Sequence, residues 1–464
     1  MATIFTVVFG TLGFSLGLGR LWDNSLFWHI RTGELILDHG IPHHDPYSFT
    51  HHGIPWIAQS WLAELLYGVL YRSVLGPFGI RLLTGLVIGT IAVVSFRLAL
   101  RLTRDVARAV LVAVAAMLGI VGITTPRPLI FGALAFVLLV CIVELPESRA
   151  GRAAAVSIPA VMWIWANVHG TFELGFAYLG LHLVGSWLDG MPPTRGAPRR
   201  VAIGTLLASA VVFVNPYGVD LVRFPLDLLS RGGVLSRVVE WQSPSLRTDQ
   251  GKLFAVWLAV FVVAAMRSGR RMSWRDGLLS VTFVLLAFWA QRNIILTPLV
   301  LLPVLARCVS VEHAPKDSTV RFGWVVVAVV VLLGLRNVAY EAAQPDFDLG
   351  PYPVAAMKYL DRHGMLGRRL LHDDGVGGYL IIRYWPKQRV FFDDRFDMYP
   401  VSFSHEYFDV ADGRPGWDRI LRKYRIDAVV WKKDAPLAQL LARSPGWRRV
   451  HRDKVAVVFV RTRG

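Results

Sequence analysis

Long apolar segments separated by short polar connections make up most of residues 1–343. A helix needs about 20 mostly apolar residues to cross the hydrocarbon core of a membrane. By this criterion the chain has about eleven candidate spans, near residues 2–21, 78–99, 107–124, 128–146, 154–168, 171–189, 201–215, 252–267, 277–292, 293–308 and 322–340. The pattern predicts a polytopic α-helical membrane domain at residues 1–343.

A polar stretch at residues 22–77 interrupts this pattern after the first predicted span. It holds acidic, basic and aromatic side chains at a density that no other part of the sequence has. We interpret it as the first outward loop and as the candidate active-site loop. From Pro55 to Leu75 apolar residues recur at helical spacing, which predicts an amphipathic helix at the membrane interface.

The pattern changes again near Pro345, where a linker predicts a separate domain at residues 344–464. Helical periodicity at 354–364, 416–425 and 436–444 is interleaved with strand-like runs at 368–372, 377–385, 389–394, 427–433 and 454–462. Helices and strands mixed over roughly 110 residues predict a soluble α/β domain.

The charge pattern predicts which side of the membrane each connection occupies. The formal net charge is +17, and many of the basic residues lie in alternate connections, as expected for the cytoplasmic side of a membrane protein. They are Arg97, Arg101, Arg104, Arg108, Arg149, Arg152, Arg195, Arg199, Arg200, Arg267, Arg270, Arg271, Arg275, Arg307, Lys316 and Arg321. We therefore predict a multi-pass protein of the cell membrane with a cytoplasmic N-terminus, an extracytoplasmic C-terminal domain and no nucleic-acid partner.

Several polar residues fall at the opposite, non-cytoplasmic ends of the predicted spans. They are Asp23, Arg127, Asn167, His169, Asn215, Glu240, Arg292 and Asn293. Ionisable groups at membrane depth are costly and usually mark a functional site. Their position at one face predicts a cavity there and favours surface chemistry over transport.

Residues 1–100 contain an acid after the first span, then FWHIRTGELILDHG, a DPY turn, GIPW and GPFGIRL. With this order of features the first loop resembles the GT-C superfamily of polytopic glycosyltransferases. It is nearest to the protein O-mannosyltransferase and aminoarabinose-transferase type and to bacterial proteins of that kind without an assigned substrate. WANVHG, NPYG and RNIILTP resemble landmarks of the latter. The Trp-Trp-Asp signature of oligosaccharyltransferases is missing, which argues against N-glycan transfer.

The resemblance implies a polyprenyl-phosphate sugar as donor and an acid in this loop as the base that deprotonates the acceptor. Asp23 matches that acid. A carboxylate can take the proton of a weakly nucleophilic hydroxyl as the anomeric carbon is attacked, and the departing phosphate needs positive charge. Arg127, Arg292 and His169 are the outward candidates for that role, with Arg31 nearer the loop.

Alternatives remain for several of these residues. Asp23 is also suited to a helix-terminal charge paired with Arg20 or Arg31, and Asp45, the second catalytic candidate, also has the form of an Asp-Pro turn. The histidines of HHDPYSFTHH lack the spacing of a zinc site, so we predict no cofactor and keep a divalent metal as the alternative. The full set of substrate-binding candidates is His29, Arg31, Gln59, Arg127, Asn167, His169, Glu240, Arg292, Asn293 and Arg395.

The resemblance thus implies a GT-C-type hexosyl- or pentosyltransferase that moves a sugar, with inversion, from a polyprenyl-phosphate donor to a glycan, lipid or protein acceptor of the cell envelope. Its expected partners are that donor, that acceptor and the membrane lipids. Two other functions are kept as alternatives: a non-catalytic membrane scaffold, and a transporter of a lipid or polyol.

Overall fold

A computed structural model of the chain describes residues 1–119, 125–310 and 323–462. The end of the predicted span at 107–124, together with Lys316 and Arg321, lies outside the described residues. The chain forms two compact units. Unit 1 comprises Met1–Arg20, Gly76–Asp227 and Leu235–Asp346, and unit 2 comprises Leu21–Leu75, Leu228–Val234 and Phe347–Gly464.

Unit 1 is built from helices. They are α1 Ala2–Leu16, α4 Gly76–Thr103, α5 Val106–Leu118, α6 Leu129–Glu144, α7 Arg149–Arg152, α8 Ala154–Val168, α9 Phe172–Leu188, α10 Gly196–Val211, α11 Val219–Leu229, α12 Gly232–Leu235, α13 Asp249–Arg267, α14 Trp274–Trp289, α15 Thr297–Val300, α16 Leu302–Val309 and α17 Gly323–Ala342. The C-terminal end of α11 and most of α12 lie in the short segment Leu228–Val234, which belongs to unit 2. Single 3₁₀ turns occur at Val239–Trp241 and Gln291–Ile295.

Close packing of α1 against α4 depends on glycine. A methyl group on Gly17 would lie 2.6 Å from the backbone nitrogen of Gly85, and one on Gly13 would lie 2.9 Å from Cα of Gly89. Both helices carry glycines four residues apart, so their backbones approach directly, as is common between helices in membranes.

A helix occurs at each predicted span, but the number of membrane crossings is not confirmed. Among the described residues, three helices are long and apolar enough to cross a membrane, namely Gly76–Thr103, Asp249–Arg267 and Val325–Ala342. A fourth is possible if the bent pair Gln291–Val300 and Leu302–Val309 counts as one span. The remaining apolar helices are shorter, so the count of about eleven stays a prediction.

Unit 2 combines the first loop with the C-terminal region. Its elements are α2 Asn24–His39, α3 Trp61–Arg72, α18 Val354–Arg362, β1 Leu370–His372, α19 Gly377–Tyr384, α20 Val401–Ala411, α21 Trp417–Lys423, β2 Ala428–Lys432, α22 Pro436–Arg443, β3 Trp447–Arg452 and β4 Ala456–Arg461, with a 3₁₀ turn at Asp374–Val376. The sheet has the order β1-β2-β4-β3. Strand β1 pairs with β2 in parallel, and the other two pairings are antiparallel.

Two predicted strands of the C-terminal region are wrong. Residues 377–384 form helix α19, and the side-chain oxygen Oδ1 of Asn24 accepts hydrogen bonds from the N–H groups of Gly378 and Tyr379 at the helix start. Residues 389–394 form no strand, only an isolated bridge between Ser48 and Val390. Strand β3 and helices α2 and α20 were not predicted.

The compact units do not follow the predicted division at residue 343. The segment after Asp346 returns to the start of the first loop, where Leu21 and Phe347 form a parallel bridge and the Tyr352 hydroxyl donates to the carbonyl of Trp22 at 2.6 Å. The side of the membrane on which residues 344–464 lie stays a prediction.

Candidate functional site

Asp23 lies at the N-terminus of α2, where it is the N-cap. Its Oδ1 accepts hydrogen bonds from the backbone N–H groups of Ser25 (2.9 Å) and Leu26 (3.2 Å). These donors belong to the first helical turn, which has no partners within the helix. The side chain is 2% exposed. Asp23 therefore lies at a helix terminus and its carboxylate is held in one orientation, while its pairing with Arg20 or Arg31 and its role as base both stay predictions.

The start of α2 is fixed by side chains that are distant in sequence. Asp394 accepts from the Ser25 hydroxyl at 2.5 Å and from the indole N–H of Trp28 at 2.9 Å. Asn24 donates from Nδ2 to the carbonyl of Asp374 at 3.3 Å. Contacts made 350 residues or more along the chain thus set where Asp23 stands within unit 2.

Helix α3 presents a buried acid to α2. Glu64 Oε1 lies 2.8 Å from Nδ1 of His29, and both side chains are buried. Burial raises the pKa of Glu64 well above its usual range, although the charge of Arg395 acts in the opposite direction. Burial also raises the pKa of Tyr67, and the charges of Glu64 and Asp23 add to that effect. The predicted ligand His29 is therefore engaged within the core of unit 2.

Asp45 and Arg395 form a buried ion pair. Oδ1 of Asp45 accepts from Arg395 at 2.8 Å, and Oδ2 accepts from the Ser48 N–H at 3.0 Å. Arg395 also donates two hydrogen bonds to Asp393, and its guanidinium lies 4.7 Å from the ring centre of Trp56. Burial by itself would raise the pKa of Asp45, but Arg395 and the hydrogen bonds hold it below the usual range.

Both residues of this ion pair therefore have a structural role. The backbone N–H of residue 47 and the Ser48 hydroxyl also donate to Asp45, which is the turn role that the Asp-Pro sequence suggested. Arg395 uses three of its five N–H groups on Asp45 and Asp393. A catalytic role for Asp45 and a substrate-binding role for Arg395 stay predictions.

Asp397 follows a predicted strand in the acidic FFDDRFD run but is outside the set of substrate-binding candidates, and it has an unusual environment. It is only partly exposed, and burial raises its pKa to about 6, against the charges of Arg395 and Arg231. Arg231 donates to the carbonyl of Tyr399 at 2.7 Å and so holds the turn that carries Asp397. Perturbed carboxyl groups of this kind are candidates for functional roles. The sequence signal was the acidic FFDDRFD run, from which only Arg395 was selected.

Arg31 and Gln59, the two other candidates in the first loop, are half-buried. Arg31 donates to Glu34 at 2.7 Å and to the carbonyl of Ile382 at 2.8 Å. Gln59 is half-buried and accepts a 3.3 Å hydrogen bond from Ser60. Arg31 therefore joins α2 to α19 within the unit.

In unit 1 the structure brings three of the predicted residues together. Arg127 forms an ion pair with Glu240, and the Arg292 guanidinium lies 4.6 Å from the ring centre of Trp241. Gln291 donates from its side chain to the carbonyl of Val239 at 2.7 Å, which ties the two segments together. Burial would raise the pKa of Glu240, but the charges of Arg127 and Arg292 lower it. The cluster holds two guanidinium groups and one carboxylate.

The remaining candidates of unit 1 mainly satisfy backbone groups. Asn167 donates to the carbonyl of Trp163 at 2.8 Å, and Asn293 donates to that of Leu286 at 2.8 Å. His169 is within hydrogen-bond distance of the Thr171 hydroxyl at 3.0 Å and within electrostatic range of Arg292. Of these three candidates, His169 is therefore the one that lies within electrostatic range of Arg292.

Within residues 1–119, 125–310 and 323–462, no group of three or more His, Cys, Asp or Glu side chains is placed to hold a metal ion.

Comparison with solved structures identifies the fold. Over 92% of this chain and 69% of the other, it is similar to the oligosaccharyltransferase AglB of Archaeoglobus fulgidus, solved with an inhibitory peptide and a dolichol-phosphate, with a TM-score of 0.55 and 12% sequence identity. Over 99% of this chain and 41% of the other, it is similar to the mycobacterial arabinofuranosyltransferase AftD, with a TM-score of 0.52 and 14% identity. The chain has the GT-C fold.

An Archaeoglobus fulgidus oligosaccharyltransferase in the apo form is also similar, with a TM-score of 0.52, 12% identity and coverage of 92% of this chain and 69% of the other. No family model matches the sequence, and no curated protein matches it. At such low identities the likeness establishes the GT-C fold alone. The expected GT-C fold is therefore confirmed, while its nearest type within the superfamily stays a prediction.

Proposed function

We propose that this chain is a glycosyltransferase that moves a sugar from a polyprenyl-phosphate donor to a hydroxyl group of a cell-envelope acceptor, on the outer face of the membrane. The observation that carries the proposal is the fold, which extends over 92% of the chain and is shared with an oligosaccharyltransferase solved with a dolichol-phosphate. A lipid phosphate is the leaving group that the proposed reaction requires. An arabinofuranosyltransferase has the same fold, so both hexosyl and pentosyl transfer are compatible with it.

The base in this proposal is Asp23. Its carboxylate takes the proton of the acceptor hydroxyl while the acceptor oxygen bonds to the anomeric carbon. The bond from that carbon to the phosphate oxygen breaks, and polyprenyl phosphate departs with the electron pair. One displacement of this kind inverts the anomeric configuration. The two N–H groups of α2 that bind Oδ1 support the assignment, because they fix the direction of the carboxylate.

The phosphate ligands in this proposal are Arg127 and Arg292. Guanidinium groups bind phosphate oxygens through paired hydrogen bonds, and the two lie in one cluster with a single carboxylate, Glu240. This assignment is independent of that of Asp23 and has its own test. In Arg292→Gln, which removes the charge, we expect the KM for the lipid donor to rise more than kcat falls.

The function is tested by transfer from radiolabelled polyprenyl-phosphate sugars to cell-envelope fractions, with the full-length protein purified in lipid. We compare wild type with Asp23→Asn, because Asn is as good an N-cap as Asp and preserves the start of α2. Loss of the base should lower the transfer rate by about 10²- to 10⁴-fold.

A matched control is Asp105→Asn, since Asp105 is the N-cap of α5 and has no proposed chemical role. It should transfer at the wild-type rate. Equal transfer by Asp23→Asn and wild type removes Asp23 as the base, and lack of transfer by wild type with every donor contradicts the function and favours a scaffold or transporter.

A further inference from the structure

A cavity of about 290 Å³ lies in unit 1 between the end of α13, the start of α14 and the end of α16. Four arginines line it, namely Arg270, Arg271, Arg275 and Arg307, together with Asp276 and Cys308. It is separate from the Arg127 cluster, because it lies at the start of α14 whereas Arg292 follows the end of that helix. A helix of 16 residues spans about 24 Å.

Two of the arginines form the floor of the cavity. Arg307 donates to both oxygens of Asp276, at 2.8 and 2.6 Å, and to Glu144 at 2.7 Å. Arg275 donates to Asp276 at 3.3 Å. Asp189 binds the backbone N–H groups of Trp274 and Arg275 from outside the cavity. The floor is thus rigid and its charges are largely balanced.

The other two arginines form the rim. Arg270 and Arg271 are exposed, and Arg270 donates to the hydroxyl of Ser310 at 3.0 Å. Arg271 has no hydrogen bond or ion pair with any other described residue. Asp276 is the single carboxylate among the described lining residues, and it is bound by Arg307 and Arg275. Within the part of the chain that the structure describes, the rim therefore contributes positive charge that no lining carboxylate neutralises.

Apolar side chains next to the rim indicate that the cavity lies at the membrane–water interface. Met272 is 48% exposed and Trp274 is 62% exposed. A tryptophan at the end of an apolar helix is typical of the membrane–water interface. Basic pockets between membrane helices on the cytoplasmic side bind the head groups of anionic lipids, and the charge pattern predicts that this connection is cytoplasmic.

We infer that this arginine pocket binds a phosphate group that carries net negative charge, supplied by an anionic lipid head group or by phosphate in solution. Arg270 and Arg271 provide the paired donors that fit phosphate oxygens. Occupancy covers Cys308 on the pocket wall, which gives a local readout independent of sugar transfer.

The test measures alkylation of Cys308 by a maleimide in full-length Cys141→Ser protein, since Cys141 and Cys308 are the two cysteines of the chain. The protein is placed in nanodiscs of phosphatidylcholine, of phosphatidylcholine with phosphatidylglycerol, or of phosphatidylcholine with inorganic phosphate added. Protection by phosphatidylglycerol alone identifies a lipid source, and protection by inorganic phosphate identifies phosphate in solution. Equal labelling in all three overturns the inference.

Variants decide whether protection arises in the pocket. Each arginine near a membrane surface contributes about fivefold in affinity for anionic lipid, so Arg270→Gln with Arg271→Gln should require roughly 25-fold more of the protecting anion. Arg267→Gln is the matched control, because Arg267 is exposed on the same connection but does not line the cavity. Undiminished protection in the double variant, or equal loss in the control, overturns the inference. The single variant Arg271→Gln repeats the test with the least disturbance to folding, because the Arg271 side chain has no partner among the described residues.

Discussion

At the scale of single residues, the fold controls the protonation of Asp397. Burial raises its pKa to about 6 from an unfolded value of 3.8. The folded state therefore binds the proton more tightly than the unfolded state does. This contribution to stability is fully present below about pH 4 and is lost as the pH rises through 6.

The substitution Asp397→Asn should remove this loss of stability with rising pH. We expect the variant to gain about 1–2 kcal/mol in free energy of unfolding relative to wild type between pH 4 and pH 7, because the partly exposed carboxyl is screened by solvent. Thermal unfolding of the purified protein across this range measures the difference. Asp434→Asn, at an exposed position, should show no such pH-dependent gain, and parallel curves for wild type and Asp397→Asn would contradict the shifted pKa.

At the scale of secondary-structure elements, helices α2 and α3 cross in close contact at Gly33 and Gly68. A methyl group on Gly33 would lie 1.9 Å from the carbonyl oxygen of Glu64, and one on Gly68 would lie 2.3 Å from the carbonyl carbon of Gly33. Neither contact is possible without moving the backbone. The close crossing is what brings Glu64 to His29.

Gly33→Ala should therefore force α2 and α3 apart. Overpacking of this kind costs about 1–3 kcal/mol, and we expect a lower midpoint of thermal unfolding. The control is Gly180→Ala in α9, where a methyl group meets nothing within 4 Å and where alanine favours the helix. If both variants unfold at the wild-type temperature, the helices do not cross as closely as described.

At the scale of the whole molecule, alternate connections carry most of the arginines outside unit 2. This arrangement predicts a cytoplasmic position for the connection after α4 and an outward position for the C-terminal domain. It also predicts that the arginine pocket and the Arg127 cluster lie towards different sides of the membrane, since they are at opposite ends of α14.

Reporter fusions after Arg101 and at Gly464 test this topology in cells. Alkaline phosphatase is active outside the cytoplasm and green fluorescent protein folds inside it. We expect fluorescence after Arg101 and phosphatase activity at Gly464. The same reporter active at both positions would contradict the predicted orientation.

The sequence by itself determined the helical positions, because a run of apolar residues long enough to form a buried helix is a local property. It also determined strands β1, β2 and β4, helices α18, α21 and α22, and the GT-C fold that the comparisons confirm. It located the N-cap acid Asp23 and the polar residues at one end of the spans, of which Arg127, Glu240 and Arg292 do meet.

Only the tertiary structure decided which of these groups pair. Residues 377–385 have a strand-like composition, yet residues 377–384 form a helix whose first turn is held by Asn24 and whose residues pack against α2. Asp45 pairs with Arg395 across 350 residues, which turned two candidate site residues into a buried ion pair. Periodicity reports on neighbours within a few turns, whereas such contacts depend on how distant segments pack. For the same reason, the raised pKa of Asp397 and the arginine pocket depend on burial and neighbouring charges that only the tertiary structure determines.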